Sequence, residues 1–493
     1  MKQTTRTLLT MLALLVVAGG IALAALWAQK DEEKKTAEKE RSEKLFDFDK
    51  AHARSLRIEK AGKLVAALER KDQAASWLFT EPIKGEADDA TVNAMLDGLA
   101  GFKQKKDLAG EKDPKPYGLD APQIVISAKT DDGREQRLEI GSENPFDHSL
   151  YVRKAGDPVI RLADAGGKTP FEKDLFDLRD KRVAHLEETA VIRRIEAVGT
   201  KVPYTLSKDG TLWKLVSPAG PADVAVADGI AASLKRLKAT GIASESATVL
   251  ATYGLAPAKV TMKIAVAEPG SKDTVTRTLL FGQPGPQKGS VAVKTYAKRD
   301  DSPTVYEVDA QILKDLDKDL FELQDKQLLN ITREDVRRIV LESPGAAAID
   351  ISRTKDTPTD GGTAEENFTV TSPARGPTKK WKLSSALYTI TGLRSVGFHD
   401  KAPKDPKALA KLGLDKPRVL TVYGDKDKIL GRVQIGAETV ETKRRFVIAD
   451  GMDRVAEVEK GSVDDLPWKL EDALDAPAPP AASLPDAGVA AAH

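Results

Sequence analysis

The chain has 493 residues, 76 of them basic and 75 acidic, for a net charge of +1. That leaves no basic excess with which to release phosphate counterions, which argues against nucleic-acid binding. The absence of cysteine excludes disulfides, thiolate metal sites, a cysteine nucleophile and an acylated N-terminal cysteine.

Residues 8–27, LLTMLALLVVAGGIALAALW, contain no charge. Twenty residues at about 1.5 Å each match a hydrocarbon core of about 30 Å. Lys2 and Arg6 precede the run and Trp27 closes it, the arrangement of a membrane anchor whose N-terminus stays in the cytoplasm. The competing reading is a cleaved signal peptide with Ala22-Leu23-Ala24 as its cleavage site. The segment KDEEKKTAEKERSEK, 30–44, follows. Its pairs Asp31/Lys35 and Glu40/Lys44 suit a solvated helical stalk, and a disordered charged linker is the alternative.

Beyond residue 44 one pattern is written three times. WLFTEP (77–82), WKLVSP (213–218) and FTVTSP (368–373) each begin with an aromatic and end with proline. A helical period follows each phrase: Val92, Met95, Leu96, Leu99 and Phe102, then Val226, Ile230, Leu234 and Leu237, then Leu383, Leu387, Ile390 and Leu393. Spacings of three and four predict an amphipathic helix packed on one side. Asp88 and Asp223 stand at the capping position; in the third copy Pro377 is nearby instead. Next come YGLDAP (117–122), YGLAPA (253–258) and LGLDKP (412–417), each leading into an alternating strand, and a second strand ending at Gly141, Gly282 or Gly436. The first two copies close on DLFDLRDK (174–181) and DLFELQDK (319–326), the third on DLPWKLED (465–472).

With a strand pair before each phrase, every copy reads β-β-β-α-β-β-β-β and a short closing helix. Strand runs joined by hairpins predict an α+β fold of three tandem modules, each a mostly antiparallel sheet with one packed helix, behind an N-terminal transmembrane helix. The expected divisions are an anchor at 1–29, a stalk at 30–44, modules at 45–183, 184–329 and 330–475, and a disordered Ala/Pro tail at 476–493.

In the order of these features the chain resembles a bacterial family catalogued as domain of unknown function 4340. The likeness rests on LFDFDKAHARSLRIEK, the W-x-L/F-x-x-P phrase, Y-G-L-D-x-P, the LEIG strand end and the D-L-F-D-L-R-D-K closure. The third copy departs from it, with Phe368 for tryptophan and Leu412 for tyrosine. The resemblance implies a membrane-tethered extracytoplasmic protein placed beside gliding-type ABC transporter components, and it brings no catalytic residues.

The residues themselves offer little chemistry. The five histidines, His52, His148, His185, His399 and His493, show no metal-ligand spacing and are expected as scattered surface residues. Gly166-Gly167-Lys168-Thr169 has the end of a phosphate loop without its first glycine, since Leu162 stands there. Asp174, Asp177 and Asp180 recur as Asp319, Glu322 and Asp325, followed by Lys181 and Lys326. They are expected on the wet face of a closing helix, with Leu175 and Leu178 inward. Asn330-Ile331-Thr332 and Asn367-Phe368-Thr369 are glycosylation sequons without meaning in a bacterium. No catalytic, cofactor-binding or metal-ligating residue is expected. The leading reading is an anchored envelope interaction protein with a protein partner such as an ABC transporter component. The alternative is a cell-wall or polysaccharide binder, which expects Trp213 or Tyr296 to be exposed.

Overall fold

The computed structural model describes residues 27, 29–30, 42–108, 110–267, 271, 273–285, 293–354 and 367–475. The expected anchor, most of the stalk and the Ala/Pro tail lie outside the described residues. None of the described helices is long and apolar enough to cross a membrane.

In the first copy the strands are β1 (Ala53–Lys60), β2 (Lys63–Glu69), β3 (Leu78–Glu81), β4 (Gly85–Glu86), β5 (Gln104–Asp107), β6 (Ile124–Thr130), β7 (Glu135–Glu143), β8 (Leu150–Lys154) and β9 (Arg161–Ala163). They pair in the order β4-β3-β2-β1-β6-β7-β8-β9-β5. The second and third copies form nine-stranded sheets of the same order, and their strands pair antiparallel. The protein is therefore three repeated antiparallel sheets with a few helices, mostly β with some α.

Seven strands per copy were expected and nine are present. The two extra strands are short and lie at the edges of the sheet. β4 has two residues, and β5, QKKD, has only its first residue part-buried. Such segments show no alternation, because their pairing comes from neighbours distant in sequence rather than from a buried face. The proline of each phrase does not lead straight into the helix either: a short strand intervenes, at Gly85–Glu86, Ala219–Pro221 and Gly376–Pro377.

One helix packs on each sheet: α1 (Asp89–Ala100), α2 (Val224–Arg236) and α3 (Lys380–Thr391). The expected stripe of α1 is buried in one core with Leu56, Ile58, Ile126 and Leu138 of the sheet. That of α3 is buried with Ile339, Leu420 and Val433. In α2 the stripe differs at one place: Val226 is half-buried and Ala227 takes the inner position, a residue too small to mark a face by hydropathy. Asp88 caps α1 by accepting from Thr91 N–H at 2.8 Å, and Asp223 accepts from Ala225 and Val226 N–H. Lys379 precedes α3 without a side-chain cap.

On the opposite face the first sheet is covered by long charged side chains. Arg57 bonds Glu59 and Arg153 bonds Glu139, both at 2.8 Å. Their stems shield Val125 and Ser127 of the central strand, so β6 is buried on both sides.

By density of contacts the chain divides into two compact units, 1–189 with 234–259 and 279–312, and 190–233 with 260–278 and 313–493.

Candidate interaction surface

The repeated closures can be built residue by residue. Asp174 and Asp177 each accept from the other's backbone N–H, at 2.7 and 3.0 Å. Asp319 and Glu322 do the same at 2.8 Å, forming a capping box on the one-turn helix Leu320–Leu323. The recurring acids at these two places are thus local turn locks. In the first copy the segment is a turn rather than the expected helix. Lys181 stands over the Phe176 ring at 4.9 Å and Lys326 over the Phe321 ring at 5.1 Å, so phenylalanine and lysine of each closure stack on one another.

Each closure then pins the start of its helix. Asp88 N–H donates to Leu178 O at 2.8 Å, Asp223 N–H to Leu323 O at 2.9 Å, and Lys379 N–H to Ala473 O at 3.0 Å. Beyond the first two closures the chain pairs with the end of the following copy's helix, through the bridges Arg182↔Lys238 and Gln327↔Arg394.

Asp180 is not on a wet face, as the sequence suggested. Its side chain is only 10% exposed, because the chain turns inward after Leu178, which is fully buried. It accepts from Arg182 Nε at 3.0 Å, and His185 Nδ1 lies 2.8 Å from it, while His185 Nε2 lies 3.0 Å from Glu86. Burial pushes the Asp180 carboxyl up, but His185 and Arg182 together outweigh it and hold the group well below the usual carboxylate range. His185 is therefore no scattered surface histidine, and it has a left-handed backbone, φ 47°. The ligating atoms of Glu86, Asp180 and His185 lie within 4.8 Å of one another, close enough to surround a metal ion. Both imidazole nitrogens already face carboxylates, however, and the Arg182 guanidinium sits on Asp180. This chemistry is that of a closed ion network joining the first closure to the segment that follows it.

At the second closure the buried acid is instead Asp223, the place of Asp88, which accepts from Lys326 at 3.2 Å and Arg394 at 3.1 Å besides capping α2, while Asp325, the repeat of Asp180, accepts from Gln327 N–H at 3.0 Å. Among the other histidines, His52 lies 2.9 Å from Asp131, His399 lies 2.7 Å from Glu457 and His148 is 3.9 Å from Glu143; His493 lies outside the described residues. Lys168 of the glycine-rich segment bonds Glu143 at 2.7 Å, and the segment is a short 3-10 helix, Ala165–Phe171. Of the two sequons, Ile331 and Phe368 are core residues.

The tryptophans of the phrase are core anchors. Trp77 is 1%, Trp213 3% and Phe368 5% exposed. A cation stands over each ring: Arg70 at 4.7 Å, Lys208 at 5.1 Å and Arg353 at 5.9 Å. In the second copy the indole also makes a polar contact, with Nε1 donating to Asp228 of α2 at 2.8 Å. Beside Phe368 lies a cleft of 730 Å³ that also takes in Leu383, Ser384 and Leu387 of α3.

The outer face of α3 is where the copies diverge. Trp381 is 70% and Tyr388 80% exposed, with exposed Ser384 and Ser385 between them. Seven residues, two helical turns, separate the rings, so both stand on one solvent-facing stripe. The same places carry Ala90 and Asp97 on α1, and Ala225 and Ala232 on α2. Other exposed large apolar residues include Phe146 and Val440 in loops, and Leu212 and Val216 on the strand Leu212–Ser217; none of these is aromatic on a helix. The sequence reading missed this pair because it sought apolar residues on the buried stripe. The detectable signal was W-x-x-S-S-x-x-Y, two aromatics in step with the helix but out of phase with its core.

The sequence model of one family, Domain of unknown function (DUF4340), matches residues 77–216, 213–398 and 369–476. The chain belongs to this family. The first two DUF4340 matches begin on the phrase tryptophans, Trp77 and Trp213, and the third one residue after Phe368. No curated protein and no solved structure matches the chain.

Proposed function

We propose that this DUF4340 protein is an extracytoplasmic interaction protein of the bacterial envelope, anchored through residues 8–27 and accessory to an ABC-type transporter system. The anchor and its orientation come from the uncharged run and the flanking basic residues. The transporter association comes from the family resemblance. The observation that carries the reading is the exposed Trp381/Tyr388 stripe on a helix held rigid by its own core. Large aromatics on a fixed element are the usual anchors of protein interfaces, since they bury much area for little lost entropy. The polysaccharide reading expected Trp213 or Tyr296 to be exposed. Trp213 is buried, and Tyr296 is part-buried with its ring 5.2 Å from that of Tyr253.

Cross-linking in intact cells tests the proposal. The full chain should capture envelope proteins, and the double variant Trp381→Ala/Tyr388→Ala should lose that capture while staying folded. Recovery of cell wall and lipid alone, or unchanged capture by the double variant, overturns it.

A further inference from the structure

The exposed stripe of α3 is built symmetrically. Residues 381–388 read WKLSSALY. Leu383, Ala386 and Leu387 are buried in the core, and Trp381, Ser384, Ser385 and Tyr388 face solvent. The exposed four mirror one another about the point between the serines. A large ring stands about 5 Å to either side along the axis, with two small hydroxyls at the centre. Lys382 Nζ lies 5.6 Å from the centre of the Trp381 ring, yet the residue is still 70% exposed.

Such a stripe is complementary to itself. In a two-fold contact the same patch serves both subunits, so each residue must suit the one it meets. With two α3 helices laid antiparallel about the serine pair, Trp381 of each copy meets Tyr388 of the other. The aromatics then pair at both ends, and the serines let the helices approach between them. Charge favours the same direction. Lys380 and Lys382 lie in the first half of α3, Thr389 and Thr391 at its end. Antiparallel pairing sets lysines level with threonines and brings the positive end of each helix beside the negative end of the other. Parallel pairing sets lysine beside lysine. Arg394, past the helix, is already paired with Asp223 at 3.1 Å. With Ala90 and Asp97 on α1 and Ala225 and Ala232 on α2, the other helices carry no such stripe, so the contact closes at two copies instead of growing into a filament.

We propose that α3 pairs with α3 of a second copy, in a two-fold dimer whose stripes cover each other. This rests on the reading above that the stripe is a binding face on an anchored chain, and it names the partner. The four rings supply roughly 600 Å² of buried area, less than the about 1,200 Å² at which stable interfaces begin. The dimer is therefore of the weak class and forms between copies concentrated in one membrane.

Introduced cysteines test it, because the chain has none of its own. In intact cells treated with a thiol oxidant, full chains carrying Ser384→Cys or Ser385→Cys should form a disulfide-linked species at twice the chain mass. Lys380→Cys should not, since the two-fold sets its two copies about 14 Å apart along the axis, beyond the reach of a disulfide. Ala94→Cys, at the exposed place on α1 that matches Ser385, should not either. Adding Trp381→Ala/Tyr388→Ala to Ser385→Cys should cut the linked fraction by about tenfold or more. No linked species from either serine position overturns the proposal. So does linking to the same extent at Lys380, which marks a parallel pair, or at Ala94, which marks random encounter. If Trp381→Ala/Tyr388→Ala abolishes cross-linking to a different protein and no disulfide forms, the stripe remains a binding face and the second copy is excluded as its occupant. Cross-linking left unchanged by that variant is the separate failure of the parent reading.

Discussion

Trp77 and Trp213 occupy the same place in two copies but do not hold it in the same way. The Trp213 indole donates to Asp228, whereas Trp77 Nε1 is buried without a hydrogen-bond partner. Replacing either by phenylalanine removes a similar volume. Only Trp213→Phe also loses a bond to a charged acceptor, worth about 1 kcal/mol after allowing for the half-exposed Asp228. Thermal unfolding should therefore show Trp213→Phe as the more damaging change; equal losses would refute this account. Acid sensitivity belongs to the same scale. Asp180 is held below its ordinary range as described, and Asp464 likewise: burial raises it, but the Arg445 and Arg418 guanidiniums prevail. A depressed folded pKa means stability that is present above the unfolded value, near 4, and is lost as pH falls below it. Denaturant midpoints should stay level through neutral pH and drop below about pH 4. Asp180→Asn should flatten part of that drop. The aromatic anchors were legible because alternation puts Trp213 and Leu215 on one face. The partners of Asp180 were not, since they depend on an inward turn that no local period records.

At the scale of the element, the most telling feature is a pair of glycines far apart in sequence. Gly118, Gly254 and Gly413 take φ of 66°, 63° and 64°, which closes the turn before the central strand. Gly141 and Gly436 lie inside the next strand, which runs on two residues past the expected end, and Gly282 lies just after its strand; all three sit directly against that turn. A Cβ on Gly282 would lie 2.5 Å from Tyr253 O, and on Gly141 or Gly436 it would strike Tyr117 O or Leu412 O. The YGL phrase and the glycine of the following strand are therefore two halves of one contact. Gly282→Ala should destabilise by about 1–3 kcal/mol through overpacking against backbone that has no room to yield. Ala substitution at Gly133, a hairpin position with nothing within 4 Å of its Cβ but φ 83°, should cost about 1 kcal/mol. Chemical denaturation of the two variants compares them, and equal losses would refute the contact. The helices were legible at this scale, because three buried stripes repeat a 3.6-residue period. The edge strands were not, because segments of two to four residues carry no period at all.

At the scale of the whole molecule the repeat governs everything described. Three sheets with one strand order, three helices pinned by three closures, and a family model that matches three times all follow from one phrase copied with small changes. The proposed anchor also belongs here. Cell fractionation should place the full chain with membranes and move a chain lacking residues 1–30 to the soluble fraction. Persistence of the shortened chain in washed membranes would sink the anchor as the sole attachment. By itself the sequence determined the number of copies, the helix in each, the family and the aromatic cores, because each rests on a local period or a repeated order. The tertiary structure alone decided which charges meet at the first closure, why the two glycines are needed, and that Trp381 and Tyr388 face outward. Those depend on chain segments brought together over long separations, and on which side of a helix its neighbours leave uncovered.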